Sequence, residues 1–430
     1  MKPRALLIAV GITACSATGS GTQAPGSDLA GARRITFVDP DGELDSEWIY
    51  VAPGPPDAPI VVIAHGQGSE HVVNCWPNEA PHDATVKQAA ALADRLAEEG
   101  FTAVAIAYRN AGSGQPVLPA IRMRDIYVRD AAAVLAAARD VRDRRGGDGE
   151  TPVAFVGGSN GTFAAWWAAT DRPELAELQR GLAIETLVLA GHSGNALANL
   201  VAVRPALTGD KTERQRAILL GTMIAVSAAV QRAGVPELEV ANLDDGSAIA
   251  GELMPLLTPD GIDAFRRVLT TPVAAARGAC RSGVPVACDT GCVEDTFADS
   301  QDPGAPSTYV TEVVVDAIDA WNPEGPTVLD TSNPVVAATR EVSPPFYGGR
   351  VRTPRGLVLY SANDHVTNPQ GSVAREAALT ALRAQGAAVP ASPAIAADAT
   401  AICEHGDYFE PMRGCGYREI VAELHAAFGR

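Results

Sequence analysis

From residue 152 to residue 167 the chain reads Pro-Val-Ala-Phe-Val-Gly-Gly-Ser-Asn-Gly-Thr-Phe-Ala-Ala-Trp-Trp. An apolar run with strand character stops at Gly157-Gly158-Ser159-Asn160-Gly161, and a small-residue, apolar helix follows. The spacing Gly-x-Ser-x-Gly between strand and helix makes a sharp, strained turn that lifts the serine hydroxyl clear of the sheet. Glycine at 157 and 161 omits the Cβ atoms that would collide as strand and helix close on each other. Ser159 is therefore a candidate nucleophile. A serine hydroxyl is a poor one near neutral pH and needs a base to take its proton. Gly and Ser are common residues, so the pattern carries weight only if the chain also supplies a base, a group to orient it, and donors for a developing oxyanion.

The elements that would position such a group come in a regular rhythm. Arg34–Asp39 and Glu47–Val51 predict two strands of a hairpin, whose loop opens with the turn signal Pro40-Asp41-Gly42. Ile60–Ala64 is an unbroken apolar strand ending in His65-Gly66-Gln67-Gly68. Thr85–Glu99 predicts a helix with Val86, Ala89, Ala93 and Leu96 on one face and Gly100 past its end. Thr102–Tyr108 is the next strand, Arg124–Arg144 a long Ala-rich helix, and Glu185–Ala190 a further apolar strand. Buried strands alternating with helices imply a doubly wound, mostly parallel α/β sheet with helices on both faces. The rhythm breaks over 194–350, with helical stretches at Arg214–Ala233 and Asp260–Thr270 and a Cys-rich acidic loop at 280–303. That segment predicts a large, mainly helical cap inserted at the C-terminal edge of the strands, where such sheets hold ligands. Its run Ala217–Val230 is apolar but too short to span a bilayer, and reads as a buried cap helix or, alternatively, a lipid-facing lid. Strand character returns at Gly356–Tyr360, followed by a helix from Ser372, a poor strand signal near Ala394–Ala397, and a terminal helix to Phe428.

Composition narrows the partners. Apolar residues make up 47% of the 430 and charged residues 20%, which supplies a sizeable core. A net charge of −17 argues against nucleic acid as a partner, since little would neutralise phosphates. Lys2 and Arg4 precede the apolar run Ala5–Ile12, the pattern of a secretory signal. Ile12-Thr13-Ala14-Cys15 resembles the bacterial lipobox, which implies lipidation of Cys15 after removal of 1–14; an ordinary signal peptide is the alternative. Residues 15–33, rich in Gly, Ser, Thr and Ala, then serve as a flexible tether. Beyond Cys15 the remaining cysteines are Cys75, Cys280, Cys288, Cys292, Cys403 and Cys415, an even set consistent with disulfides in an exported chain. Cys403–Cys415 closes a short loop and is the favoured pair, which leaves the other four to tie the Cys75 loop to the 280–292 cluster; free buried thiols are the alternative. The cluster lacks two Cys-x-x-Cys pairs, which argues against zinc.

With these motifs in hand, the chain resembles the α/β-hydrolase superfamily over roughly 55–193 and 351–430: His-Gly after a strand, the Gly-x-Ser-x-Gly turn, a strand-end Asp, then a late His, in the family's order. The resemblance implies roles. Asp364, in Ser361-Ala362-Asn363-Asp364-His365 after the returning strand, would orient the imidazole and stabilise its cation. His405, in Cys403-Glu404-His405-Gly406-Asp407, would be the base; His365 adjoins the Asp, His425 falls in the terminal helix, and His65 belongs to the oxyanion loop. Backbone N–H groups of Gln67 and Asn160 would form the oxyanion hole. Ser193, in Gly191-His192-Ser193-Gly194-Asn195, is the rival nucleophile, but Asn195 replaces the second glycine and one strand too many precedes it.

The resemblance implies an exported, lipid-anchored serine esterase acting on a small-molecule or lipid ester, with no cofactor. Two alternatives stand beside it. The region 85–145 and the turn also resemble the catalytic domain of prolyl-oligopeptidase-like peptidases, although the stretch between Cys15 and the first strand is too short for their propeller. A non-catalytic surface lipoprotein could reuse the fold for binding. Metal readings are weaker: His71, His82 and Asp83 match no ligand spacing, and Asp289, Glu294, Asp295, Asp299 and Asp302 lack a regular Ca²⁺ loop. Trp166 and Trp167 read as core, or as one side of an acyl pocket.

Overall fold

Seven strands hydrogen-bond in the order β1-β2-β4-β3-β5-β6-β7 among the described residues. The computed structural model describes residues 32–65, 84–107, 124–147, 149–159, 161–190, 255–262, 310–319, 332–341, 350–359, 371–387 and 416–429. The strands are β1 (Ala32–Val38), β2 (Leu44–Ala52), β3 (Ile60–Ala64), β4 (Thr102–Ala107), β5 (Thr151–Gly158), β6 (Leu182–Ala190) and β7 (Arg355–Leu359). β1 and β2 form the expected antiparallel hairpin, with β1 starting at Ala32 rather than Arg34. Its turn is closed by Asp39, whose Oδ1 accepts the N–H groups of Asp41 and Glu43 at 3.0 and 2.9 Å, while Gly42 takes φ 83°. β2 runs antiparallel to β4, and the pairs β3–β4, β3–β5, β5–β6 and β6–β7 are parallel.

Helices cover both faces, as the alternation of elements requires. They are α1 (Ala84–Glu98), α2 (Arg124–Arg144), α3 (Gly161–Ala169), α4 (Ala176–Gln179), α5 (Glu312–Asp319), α6 (Pro334–Glu341), α7 (Gly371–Ala384) and α8 (Tyr417–Ala427). In a strand successive side chains point to opposite faces. Ile60 and Val62 of β3, Val153 and Phe155 of β5, and Leu187 and Leu189 of β6 accordingly share one core with α2, α3 and α7. Val61 and Ile63, Ala154 and Val156, and Val188 and Ala190 face the other, with Ala89, Ala93 and Leu96 of α1 and Ile420 and Leu424 of α8. Because β3 and β5 are buried on both sides, they read in the sequence as continuous apolar runs rather than as alternating ones.

Polar ties fix the helices to the sheet. On α8 the buried Glu423 accepts from Arg355 Nε and Nη2, both at 2.9 Å, and from Thr186 Oγ1 at 2.8 Å. Arg355 and Thr186 lie opposite each other in the β6–β7 ladder, so one carboxylate joins α8 to two strands. Within 194–350 the described pieces include a helical turn at 259–262, at the start of the expected helix Asp260–Thr270, and an isolated bridge between Leu257 and Val310. Asn333 caps α6, accepting from Val335 N–H at 2.9 Å, and donates to Val313 O of α5 at 2.9 Å. The expected helix Arg214–Ala233 and the strand near Ala394–Ala397 lie outside the described residues.

Where the chain re-enters the sheet after that segment, it is stitched to the far end of α3. Arg352 N–H donates to Ala169 O at 2.7 Å, Asp171 N–H donates to Arg350 O at 2.8 Å, and Thr170 bridges Val351. Beneath this seam the fully buried Gln179 donates to Ala168 O and Thr170 O at 3.0 and 2.7 Å, and accepts from Arg352 Nη1 at 3.2 Å.

Candidate active site

The strand order defines where a ligand belongs. From β3 the chain crosses to β4 on one side, and from β5 it proceeds through β6 to β7 on the other. The winding therefore reverses between β3 and β5, and open α/β sheets bind ligands in the crevice at the C-terminal ends of the strands flanking that switch. β3 ends at Ala64 and His65 follows it; β5 ends at Gly158 and Ser159 follows it. His65, which opens one of the motifs the sequence singles out, and Ser159 of the other thus lie at the switch point, with Ala64 paired to Gly157 in the ladder. Ser193 follows β6, one strand away, and lies outside the described residues.

Ser159 is half-buried and has φ 48°, in the left-handed region that costs a residue bearing a Cβ about 1 kcal/mol or more. It is the one non-glycine residue with positive φ among the described residues. The two flanking glycines have a steric reason. A Cβ on Gly157 would lie 2.6 Å from Gly161 O and from Thr162 Cα. A Cβ on Gly161 would lie 2.1 Å from Ala64 O and 2.4 Å from His65 O. Strand β5, helix α3 and the end of β3 approach backbone to backbone, and no larger residue fits at either position.

Hydrogen bonds hold the turn from both sides. Ser159 N–H donates to Ala190 O at 2.8 Å, across to the end of β6. Ser159 O accepts from Thr162 N–H at 3.1 Å and from Thr162 Oγ1 at 2.7 Å. Sequence reasoning did not anticipate the Thr162 contact; a threonine in the first turn of the helix was the available signal.

Trp166 and Trp167 belong to the core rather than to an open pocket wall. Both are fully buried; Trp166 Nε1 donates to Gln385 Oε1 at 3.0 Å, and the Arg172 guanidinium lies 5.1 Å from the Trp167 ring centre. His65 is buried at the end of β3, and His425 lies on α8 against Phe101, with ring centres 5.1 Å apart. Of the other site residues expected from the sequence, Gln67, Asn160, Asp364 and His405 lie outside the described residues, as do Cys15, Cys75, Cys280, Cys288, Cys292, Cys403 and Cys415. The weaker metal candidates at 71–83 and 289–302 also lie outside them.

No family model matches the chain, and no curated protein matches it. Solved structures do. The ligand-bound form of the rice cell wall degrading esterase LipA from Xanthomonas oryzae matches with a TM-score of 0.55 at 15% identity, covering 91% of this chain and 88% of that one. Another structure of the same esterase gives 0.56 at 14% identity, covering 92% and 89%. A Legionella pneumophila protein provisionally described as a hydrolase gives 0.52 at 14% identity, covering 92% and 88%. Taken with the strand order β1-β2-β4-β3-β5-β6-β7 and the strained serine turn after β5, these likenesses show that the chain has the α/β-hydrolase fold.

Proposed function

We propose that this chain is a serine hydrolase that cleaves carboxylic esters through an acyl-enzyme. The observation that carries the reading is Ser159, a non-glycine residue at φ 48° beside the topological switch point, between two glycines that no larger residue can replace. Strain of this kind persists only where the surroundings over-determine it. A turn that needed no exposed hydroxyl would be met at lower cost by glycine.

In this reading Ser159 Oγ attacks the ester carbonyl while His405 takes its proton and Asp364 orients the imidazole. Collapse of the tetrahedral intermediate expels the alcohol, which receives the proton from His405. Water, deprotonated by the same histidine, then releases the acid and restores the serine. The Ser159 N–H is already committed to Ala190 O. That supports assigning the oxyanion to the next amide, Asn160, together with Gln67. His405 follows β7 and α7 and precedes α8 in the chain, and Asp364 follows β7 closely, which agrees with the order of roles.

The test is turnover of a short-chain aryl ester and labelling by a fluorophosphonate, each compared between wild type and Ser159→Ala. Both should vanish in the variant. Undiminished turnover would overturn the proposal. The same reading takes the chain to be exported and anchored through Cys15, so metabolic lipid labelling should be lost in Cys15→Ser.

A further inference from the structure

We propose that Thr162 is a positioning residue for the nucleophile: its buried hydroxyl holds the Ser159 carbonyl and fixes the left-handed turn from which the serine hydroxyl projects. This inference rests on Ser159 being the nucleophile. Among the described residues, three of the hydrogen bonds that hold the turn are these. Ser159 N–H reaches Ala190 O at 2.8 Å, and Thr162 N–H reaches Ser159 O at 3.1 Å. These two are backbone bonds that almost any residue would make. The third, from Thr162 Oγ1 to Ser159 O at 2.7 Å, depends on the side chain and is the shortest of the three.

The setting gives that bond weight. Thr162 is fully buried, so its hydroxyl cannot exchange the carbonyl for bulk water. Its β-branched side chain has few rotamers, and its Cα is held against β5, only 2.6 Å from where a Cβ of Gly157 would stand. A Thr hydroxyl bonding back to the preceding turn of its helix is common and mostly structural. Here the accepting carbonyl belongs to the strained residue itself. Rotation about the Ser159 N–Cα bond would relax φ toward ordinary values and would swing the serine side chain and carbonyl together, and the Thr162 bond to that carbonyl resists the rotation. Thr170 offers an internal comparison: its Oγ1 donates to Trp166 O at 2.8 Å at the other end of the same helix, away from Ser159.

The experiment measures the rate of Ser159 phosphonylation by a fluorophosphonate, and kcat and KM for a short-chain aryl ester. In phosphonylation the serine oxygen bonds to phosphorus, fluoride leaves, and the hydroxyl proton passes to the base. Thr162→Val keeps the shape and removes the hydroxyl. It should lower the phosphonylation rate and kcat together by about tenfold and leave KM within about twofold, since only the geometry of attack changes. Thr162→Ser should restore both rates to within about twofold of wild type. Thr170→Val should lose stability without this loss of rate. Where Thr162→Val fails to fold, Thr162→Ser against Thr162→Ala reads the same hydroxyl. A Val variant as fast as wild type, a Ser variant as slow as Val or Ala, or a Thr170→Val variant slowed equally would each overturn the proposal. Absence of wild-type labelling at Ser159 would instead overturn the nucleophile assignment beneath it.

Discussion

Gly161 stands so close to the end of β3 that a Cβ on it would lie 2.1 Å from the carbonyl oxygen of Ala64. The contact is backbone against backbone and cannot be relieved by a rotamer change. Gly161→Ala should therefore push α3 off the sheet, cost about 3 kcal/mol or more, and remove activity. Chemical denaturation checks it. A Gly161→Ala protein within about 0.5 kcal/mol of wild type would mean that β3 and α3 are farther apart than described.

Ser159 carries the strain that glycine would not. Ser159→Gly should stabilise the fold by about 1 kcal/mol, as a Cβ leaves the left-handed region, while abolishing the proposed hydrolase activity. The stability gain separates it from Ser159→Ala, which keeps the Cβ and its strain but also loses activity. Urea midpoints of the two variants provide the comparison; equal midpoints would count against a strained turn.

Gln179 seals the seam between α3 and the strand lead-in. Its three partners are the carbonyls of Ala168 and Thr170 and the Arg352 guanidinium. Gln179→Leu retains most of the volume but strands two buried carbonyls, so a loss of about 2–4 kcal/mol is expected. The loss should be smaller in an Arg352→Ala background, because part of the network is already gone. Strict additivity of the two changes would show that Arg352 and Gln179 do not cooperate.

Two phenols carry a prediction for alkaline stability. Tyr50 is pushed up to about 12 by burial first, then by its hydrogen bond to Asp94, which its Oη reaches at 2.5 Å, and by that carboxylate's charge. Tyr417 is raised to about 12 as well, by burial first and then by Glu99, 3.3 Å from its Oη. A pKa above its unfolded value means that the neutral form is favoured in the fold. The stabilisation is complete below pH 10.0, the ordinary tyrosine value, and is lost as pH rises through about 12. Stability should fall over that window, less steeply in Tyr50→Phe and Tyr417→Phe. Titrating tyrosinate absorbance alongside unfolding checks it, and an unchanged slope in both variants would remove these tyrosines as the cause.

The sequence by itself determined the rhythm of the fold. β3 falls at Ile60–Ala64 and α2 at Arg124–Arg144, as their apolar runs and spacing require, because a strand buried on both faces and a long helix each leave a local pattern. Other boundaries moved by a few residues: β6 begins at Leu182 rather than Glu185, since its pairing with β5 extends it past its strongest apolar run. The serine turn was also legible, because Gly-x-Ser-x-Gly is a local signature of its own geometry. α3 gave no such direction. It is apolar all round, so nothing in its periodicity said whether Trp166 and Trp167 face core or pocket; only their complete burial, with Gln385 and Arg172 against them, decided that. The tertiary structure alone decided the rest. Gly161 is required by a strand that ends at Ala64, Ser159 is held by a carbonyl at Ala190, and the seam at Gln179 is closed by Arg352. These contacts join segments that are distant along the chain, and a linear pattern records only what neighbours in sequence impose on one another. Which strands flank the switch point, and hence where a serine can be both strained and reachable, follows from the order in which the sheet closes.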